Sequence, residues 1–456
     1  MSDTIAAVAT GGLISAIGII RVSGKDAIVV ADKVFRSAGG DRLADVEDRR
    51  MCYGELAGVD GGIVDMCLCM VSRAPHSYTG EDTAEFHCHG SPVVLSEGLR
   101  VLFSHGVRQA QAGEFTKRAF LNGRMDLTQA EAVIDLIESE TPIAAQNAVG
   151  QLRGAIGLRL APVYESLLDV MAHFHAVIDY PDEDIAEFDM QSYLSSLRDA
   201  EEDLRKMLST HERSKVLREG IPTAIIGRPN TGKSSLLNAF LGYDRAIVAE
   251  VPGTTRDTIE EKVLVGGVLL RLIDTAGLRK SVDAVEKLGV ERAFAALHNA
   301  RLVILVLDGS QPLKEEDYDA LRSIPPDAAK LVAVNKSDLP QVLGPEELDL
   351  LGLKYCQISA LRGDGLDILD AEIEKMFPMS NELQSGELIT SVRQAEAISR
   401  AMGSIGFAIA AITESVTPDA ILTDIESALS AIGEVTGKTM REDVISRIFE
   451  RFCVGK

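Results

Sequence analysis

The sequence predicts a multidomain α/β-plus-α chain: a small N-terminal α/β domain, a helical bundle, and a parallel-sheet α/β domain inserted into that bundle. Three observations predict this. Short β-like runs separated by Gly turns fill residues 1–118. Helix-spaced apolar residues fill 119–217 and return over 381–456. Between them, over 218–380, strands alternate with helices, the pattern of a parallel sheet. A chain of 456 residues is long enough for two to four domains. Insertion of one domain into another is tolerated where termini lie close together at the surface.

In the first block, AIGIIRVSG, VDMCLCMVS and DTAEFHCHG read as strands, and KDAIVVADKVF between them has helical spacing. In the second, Leu127, Ala130, Ile134 and Ile137 repeat at intervals of 3, 4 and 3, which puts them on one helix face. LTQAEAVIDLIESE and DAEEDLRKMLSTHERSKVL are rich in helix formers. The pattern returns in SVRQAEAISRAMGSIGFAIAAI, TDIESALSAIGEVTG and MREDVISRIFERF.

Hydrophobic residues make up 46% of the chain, enough for real cores, and the net charge is −23. Such an acidic chain is not a general nucleic-acid coater, because duplex binding leans on clustered Lys and Arg. Any RNA contact needs a local basic patch or a partner. The six Cys are scattered, which predicts reduced thiols and a cytoplasmic protein. The N-terminal run IAAVATGGLISAIGII has Asp3 where a signal peptide carries positive charge, and its glycines suit a hairpin. No stretch of about 20 continuous apolar residues is present, so no membrane span is expected.

The densest signal is TAIIGRPNTGKSSLLNAF. Gly227, Gly232, Lys233 and Ser234 fit G-x-x-x-x-G-K-[ST] at a strand-to-helix junction. In that motif backbone N–H groups cradle phosphates, the Lys reaches the β/γ oxygens and the Ser ligates Mg²⁺. Asn230, Thr231 and Ser235 complete the loop. LLRLIDTAG then puts Asp274 where a carboxylate supports Mg²⁺ through water, followed by Thr275, Ala276 and Gly277, the last offering an N–H to a γ-phosphate. LVAVNKSD ends a strand with Asn335, Lys336 and Asp338. An Asp carboxylate there accepts from guanine N1–H and N2–H₂, a donor pair that adenine lacks, so GTP is selected over ATP. YCQISAL supplies Ser359 and Ala360, where a backbone N–H would meet guanine O6. In order and at strand ends, these motifs define a P-loop G domain with a Ras-like parallel sheet.

The first switch is expected in VAEVPGTTRDT, where Thr255, rather than Thr254, would complete the Mg²⁺ shell. Ras-like enzymes orient the attacking water with a Gln directly after DTAG. Here that position is Leu278, so the group must come from elsewhere. Arg256, Asp257, Arg279 and Glu286 are the candidates on position alone.

With GRPNTGKS, GTTRD, DTAGLR, NKSD and the terminal CVGK assembled, the chain resembles the MnmE/TrmE family of tRNA-modification GTPases. The resemblance covers nearly the whole chain, through GIIRVSG, YTGEDTAEFHCHG, GEFTKRAFLNGRMDLTQAEA and RIFERFCVGK as well as the central motifs. It implies an N-terminal domain that dimerises and binds a one-carbon tetrahydrofolate, and a helical domain built from both flanks of the G domain. It implies potassium-stimulated GTP hydrolysis with pairing of two G domains. It also implies work with a flavoprotein of the GidA/MnmG family, adding a carboxymethylaminomethyl group at C5 of the wobble uridine of certain tRNAs. By the same resemblance, Asn230 and backbone oxygens around Ala249, Val251 and Thr254 would hold K⁺, and Glu286 would position water. Arg21, Glu85, Arg124 and Lys456 would contact folate, with Arg124 standing where some members carry Lys.

Cys453 is the fourth residue from the end, so CVGK superficially meets a lipidation frame, but Gly and terminal Lys fit it poorly. The apolar helix before it would dock the tail, and Lys456 as a folate neighbour would carry the thiol toward the one-carbon unit, as nucleophile or acid/base. A nearby cation lowers a thiol pKa. The HCH triplet at 87–89 with Cys67 and Cys69 invites a metal, but a strand sends His87 and His89 to one side and Cys88 to the other. His173 and His175 do not share a helix face, and YPDEDIAEFD reads as a solvated turn. The competing class is an Era-type ribosome-assembly switch, which the G domain cannot separate from the first reading. The absence of a KH-like GXXG block and the flanking motifs favour the tRNA-modifying class.

Overall fold

The computed structural model describes residues 3–11, 14–179, 190–242, 261–273, 297–378, 386–414 and 416–455. They fall into two compact units, one of Met1–Ile134, Gln151–Leu204 and Glu396–Lys456, the other of Asp135–Gly150 and Arg205–Ala395.

The first unit is built on a seven-stranded sheet: β1 (Ile5–Val8), β2 (Ser15–Ser23), β3 (Phe35–Ser37), β4 (Met51–Ala57), β5 (Ile63–Ser72), β6 (Thr83–Gly90) and β7 (Arg108–Gln109). Their spatial order is β3-β4-β5-β6-β2-β1-β7, antiparallel except for β1 and β7. The expected strands are β2, β5 and β6, and the expected helix is Ala27–Val34. Alternation decides which face is buried. Along β6, Ala84, Phe86 and Cys88 join the core while Glu85, His87 and His89 face away. Helices Ala27–Val34 and Pro92–Ser104 supply the other side of that core, around Val30, Leu95 and Leu102.

The helical part of this unit joins segments far apart in sequence, since Ala155–Asp179 packs against Pro418–Thr436. The latter starts earlier than TDIESALSAIGEVTG suggested, because Thr417 is extended and Pro418 occupies the first turn. Among the described residues, helix Val392–Thr413 is by length and composition long and apolar enough to cross a membrane, although Arg393, Glu396 and Arg400 interrupt it, so it offers no continuous apolar run of about 20 residues. Its buried residues Ala397, Ile398, Ala401, Ile405, Ala408 and Ile412 follow helical spacing, and Arg400 on it pairs with Glu434 at 2.6 Å.

The second unit carries a six-stranded sheet: β8 (Ile221–Ile226), β9 (Glu261–Val265), β10 (Val268–Leu272), β11 (Leu302–Asp308), β12 (Ala329–Asn335) and β13 (Tyr355–Gln357). The order is β13-β12-β11-β8-β10-β9. The sheet is mixed, not wholly parallel as expected: β9 is an antiparallel edge strand. The reason is local, since Gly266 and Gly267 close a two-residue hairpin between β9 and β10. β11 is buried along its whole length, as a central parallel strand must be, and reads LVILVLD for that reason. The helix-rich stretch 199–217 resolves into two helices, Met190–Ser209 and His211–Glu219. At the break, the Thr210 hydroxyl accepts the Ile389 N–H at 3.0 Å, and Ser214 Oγ donates to the Ile389 carbonyl.

Candidate functional sites

β8 runs into helix Lys233–Gly242 through the loop 227–232, the strand–loop–helix context expected of a phosphate cradle. Two glycines are required there sterically. Gly227 has φ +144° and a Cβ on it would strike the Val306 carbonyl; Gly232 has φ +99° and a Cβ would strike Asn335 Nδ2. Asn230, exposed, takes the left-handed conformation at φ 64°. Lys233 Nζ donates to the carbonyls of Gly227 at 2.8 Å and Arg228 at 2.7 Å. Burial pushes the pKa of this ammonium down. Thr231 is buried, its hydroxyl donating to the Arg228 carbonyl at 3.0 Å. Ser234 and Ser235 open the helix on its exposed side.

The base side is tied to this loop. Asn335, at the end of β12, donates from Nδ2 to the Thr231 carbonyl at 2.8 Å and accepts the Ala360 N–H on Oδ1 at 2.9 Å. In this structure the Ala360 N–H is thus engaged by Asn335. Ser359, fully buried, donates from Oγ to Asp338 Oδ1 at 2.7 Å, and Arg362 Nε lies 3.9 Å from Asp338 Oδ2. The Ser359 hydrogen bond holds the Asp338 carboxyl below its ordinary pKa, so it stays an acceptor at neutral pH. Lys336, at φ 67°, donates from Nζ to Asp308 Oδ2 at 2.6 Å. Burial alone would raise the Asp308 pKa, but hydrogen bonds from Lys336 and Ser310 carry it down. Asp308 was missed in the sequence; its one signal was an acid ending a wholly apolar strand.

Ala249, Val251, Thr254, Thr255, Arg256, Asp257, Asp274, Thr275, Ala276, Gly277, Arg279, Glu286 and Lys456 lie outside the described residues. Of the proposed Mg²⁺ ligands, Ser234 remains, a hydroxyl at a helix start that suits a hard cation. Of the K⁺ ligands, Asn230 remains, its amide oxygen carried on an exposed loop.

A second group of candidate residues lies on the N-terminal sheet. Arg21 and Glu85 are cross-strand partners on β2 and β6, and Arg21 Nε meets Glu85 Oε1 at 2.7 Å. The Arg21 guanidinium sits 5.1 Å from the Tyr78 ring and 5.7 Å from the Phe115 ring. Phe115 is fully buried, while Tyr78 and the Arg21–Glu85 pair are half-buried. The Arg124 stem lies against Gly80, in the same loop as Tyr78. His87 Nε2 is 3.6 Å from Glu85, and His89 Nδ1 meets Asp65 Oδ1 at 2.8 Å. Cys67, Cys69 and Cys88 face the core instead, so these thiols and the two histidines lie on opposite faces of the sheet.

The C-terminal tail is docked on this same unit. Phe449 and Phe452 are buried with Leu127 and Ala130. The Gly113 N–H donates to the Cys453 carbonyl at 3.2 Å, and Val454 bridges to Ala112. Cys453 is the one exposed cysteine of the six. Beside it, a cavity of about 360 Å³ is lined by Val8, Thr10, Leu95, Ser96, Leu99 and Val454 among others. Arg21, Glu85 and Arg124 do not line it.

A P-loop joined through Asn335 to a base loop with an Asp338 acceptor, on a largely parallel sheet, defines a GTPase-class nucleotide-binding protein. The flanking domains settle which kind. Residues 4–124 match the family model described as GTP-binding protein TrmE N-terminus, and residues 127–453 match the MnmE helical domain. The chain belongs to the MnmE/TrmE family of tRNA-modification GTPases. It is 41% identical, over the full length of both chains, to the tRNA modification GTPase MnmE of Alkaliphilus metalliredigens, and 40% identical to that of Clostridioides difficile, again full length. The Geobacillus kaustophilus protein of the same name is 41% identical, over 100% of this chain and 99% of that one. Part of the chain also overlaps the G domain of the T. maritima FeoB iron transporter, with 28% identity, 34% of this chain, 96% of that chain and a TM-score of 0.26. The matched flanks favour the tRNA-modifying class over the Era-type switch.

Proposed function

We propose that this chain is a potassium-stimulated GTPase that acts with a GidA/MnmG-family flavoprotein. Together they install a carboxymethylaminomethyl group at C5 of the wobble uridine of certain tRNAs, with a one-carbon tetrahydrofolate as donor. The observation that carries the reading is the presence, in one chain, of tied nucleotide loops and a docked tail that leaves the Cys453 thiol exposed.

In this reading, Lys233 leaves its two carbonyl acceptors for the β/γ-phosphate oxygens, and Asp338 takes the guanine N–H groups. Ser234 and Thr255 hold Mg²⁺, while Asn230 and backbone oxygens near Ala249, Val251 and Thr254 hold K⁺. Such cations supply positive charge beside the transferring phosphoryl group. Glu286 orients the attacking water. Arg21, Glu85, Arg124 and Lys456 hold the folate, and Cys453 works at the one-carbon unit.

The homodimer has a physical rationale on the sheet that carries Arg21. Tyr53 and Leu68 face each other across β4 and β5, and with Met51, Met66 and Ile17 they stay 37–58% exposed. An open apolar sheet face of this kind favours covering by a second copy. We place the protein in the cytoplasm, where its tRNA substrate is found.

Mass spectrometry of wobble nucleosides from cells with and without the protein tests the reading. The modified uridine should disappear without it; persistence at the normal level rejects the function. Hydrolysis should also run faster in K⁺ than in Na⁺ at equal ionic strength, and equal rates would remove the potassium role of Asn230.

A further inference from the structure

Arg228 follows the first glycine of the phosphate loop, where a cation is readily taken for a phosphate ligand. Its side chain is instead committed to the protein. Arg228 Nε meets Asp317 Oδ1 at 2.7 Å, with the two side chains only 9% and 2% exposed. Asp317 lies on helix Glu315–Arg322, which follows β11. Its second oxygen accepts the Lys314 N–H at 3.0 Å, so the carboxylate is fixed at the helix start. On the other side, the Arg228 carbonyl accepts both Lys233 Nζ and Thr231 Oγ1.

We infer that Asp317 is a positioning residue for phosphate binding, acting through Arg228. The contacts run from the Lys314 backbone through Asp317 and Arg228 to Lys233 and Thr231. Moving the Arg228 backbone moves the acceptor that holds the phosphate-binding lysine. A loop that binds phosphate with backbone N–H groups gains affinity by being ordered beforehand. A buried ion pair adds little to fold stability relative to an apolar pair of similar volume, because desolvation offsets the attraction. What the pair supplies here is the fixed position of the loop.

The inference rests on reading 227–235 as the phosphate loop, which Lys233→Ala tests separately. The experiment measures the affinity of the full chain for a fluorescent GDP analogue, together with thermal unfolding of the nucleotide-free protein. Asp317→Asn should weaken binding roughly ten-fold, an effect equal to one lost ordering contact, and Asp317→Glu should recover most of it. The double variant Arg228→Met/Asp317→Leu should unfold at the wild-type temperature yet bind as weakly as Asp317→Asn. The ratio of GTP to ATP affinity should not change, because the contact orders the phosphate loop and not the base loop. A double variant that binds like wild type overturns the inference, because the pair then acts on folding alone. Full binding by Lys233→Ala overturns the phosphate-loop reading and the inference with it.

Discussion

Replacing Gly455 by Ala tests whether the docked tail matters. Gly455 has φ +101°, and a Cβ there would strike the Val8 carbonyl oxygen, with Ala9 Cα 3.1 Å away. A side chain in such a conformation costs about 1–3 kcal/mol before the clash is counted. Among the described residues, the backbone contacts holding the tail beyond Phe452 are the Gly113 hydrogen bond and the Val454–Ala112 bridge. Each is worth about 0.5–1.5 kcal/mol net. Strain therefore matches or exceeds what holds the tail, and the docked population should fall about ten-fold or more. Phe452, buried with Phe449, remains as an anchor, so release should stop near Cys453. Hydrogen exchange at the Gly113 amide reads the release directly and should quicken by about the same factor. GTP turnover should hold while wobble-uridine modification drops. Unchanged exchange would refute the strain estimate. Faster exchange with normal modification would refute any need for a docked tail.

Four further outcomes are expected. Asp338→Asn should lose about two orders of magnitude in GTP affinity and favour xanthine nucleotides, because two charge-assisted hydrogen bonds to the base are lost; retained guanine preference in competition binding counts against the assignment. Glu286→Ala should keep nucleotide affinity and lose turnover, and an unchanged rate removes it as the water-positioning group. Cys453→Ser should spare GTP hydrolysis and abolish tRNA modification, read by mass spectrometry; modified tRNA at the normal level shows the thiol is dispensable. The Asp3 carboxyl is held at about 2, chiefly by its hydrogen bond from Arg108. A depressed carboxyl stabilises the fold above its unfolded pKa near 3.9 and loses that contribution as pH falls toward 2. Asp3 is 57% exposed, so screening limits the effect of Asp3→Asn to about 1 kcal/mol or less. Urea titrations at pH 7 and at low pH should show that difference shrink.

Legibility in the sequence followed locality. The phosphate loop was readable because its glycines, Lys233 and Ser234 act within one short stretch between a strand and a helix. Strands β2, β5 and β6 were readable from alternation, and so were the opposite faces of Cys88 and His87. The edge strand β9 was not, since β-rich spacing does not tell antiparallel from parallel, and a two-glycine hairpin decided it. Helix Pro92–Ser104 was passed over because its Gly98 and paired valines dilute a helical signal. The partners of the functional groups were least legible. Asp317 stands 89 residues from Arg228, and no local pattern marks either as half of a buried pair. The tail showed a similar limit: its amphipathic helix foretold docking, but not that the surface would be Ala112, Gly113 and Val8.

Asn335 shows what that distance conceals. In the sequence it is the first letter of a base-recognition motif. In the structure its amide closes a bridge from the Thr231 carbonyl, 104 residues away, to the Ala360 N–H, 25 residues away. Thr231 and Asn335 are almost fully buried, so either hydrogen bond, once broken, leaves a polar group without water. The close approach that makes the bridge is also why residue 232 must be Gly: any side chain there would meet Asn335 Nδ2. The loop proposed to grip phosphates and the loop proposed to grip the base thus share one side chain. Removing that side chain loosens both loops at once, so phosphate and base affinity cannot be tuned independently through Asn335. Asn335→Ala should accordingly lose affinity for GDP while also relaxing base preference. Asp317, whose contact reaches the phosphate loop without touching Asn335, should change the first and leave the second alone.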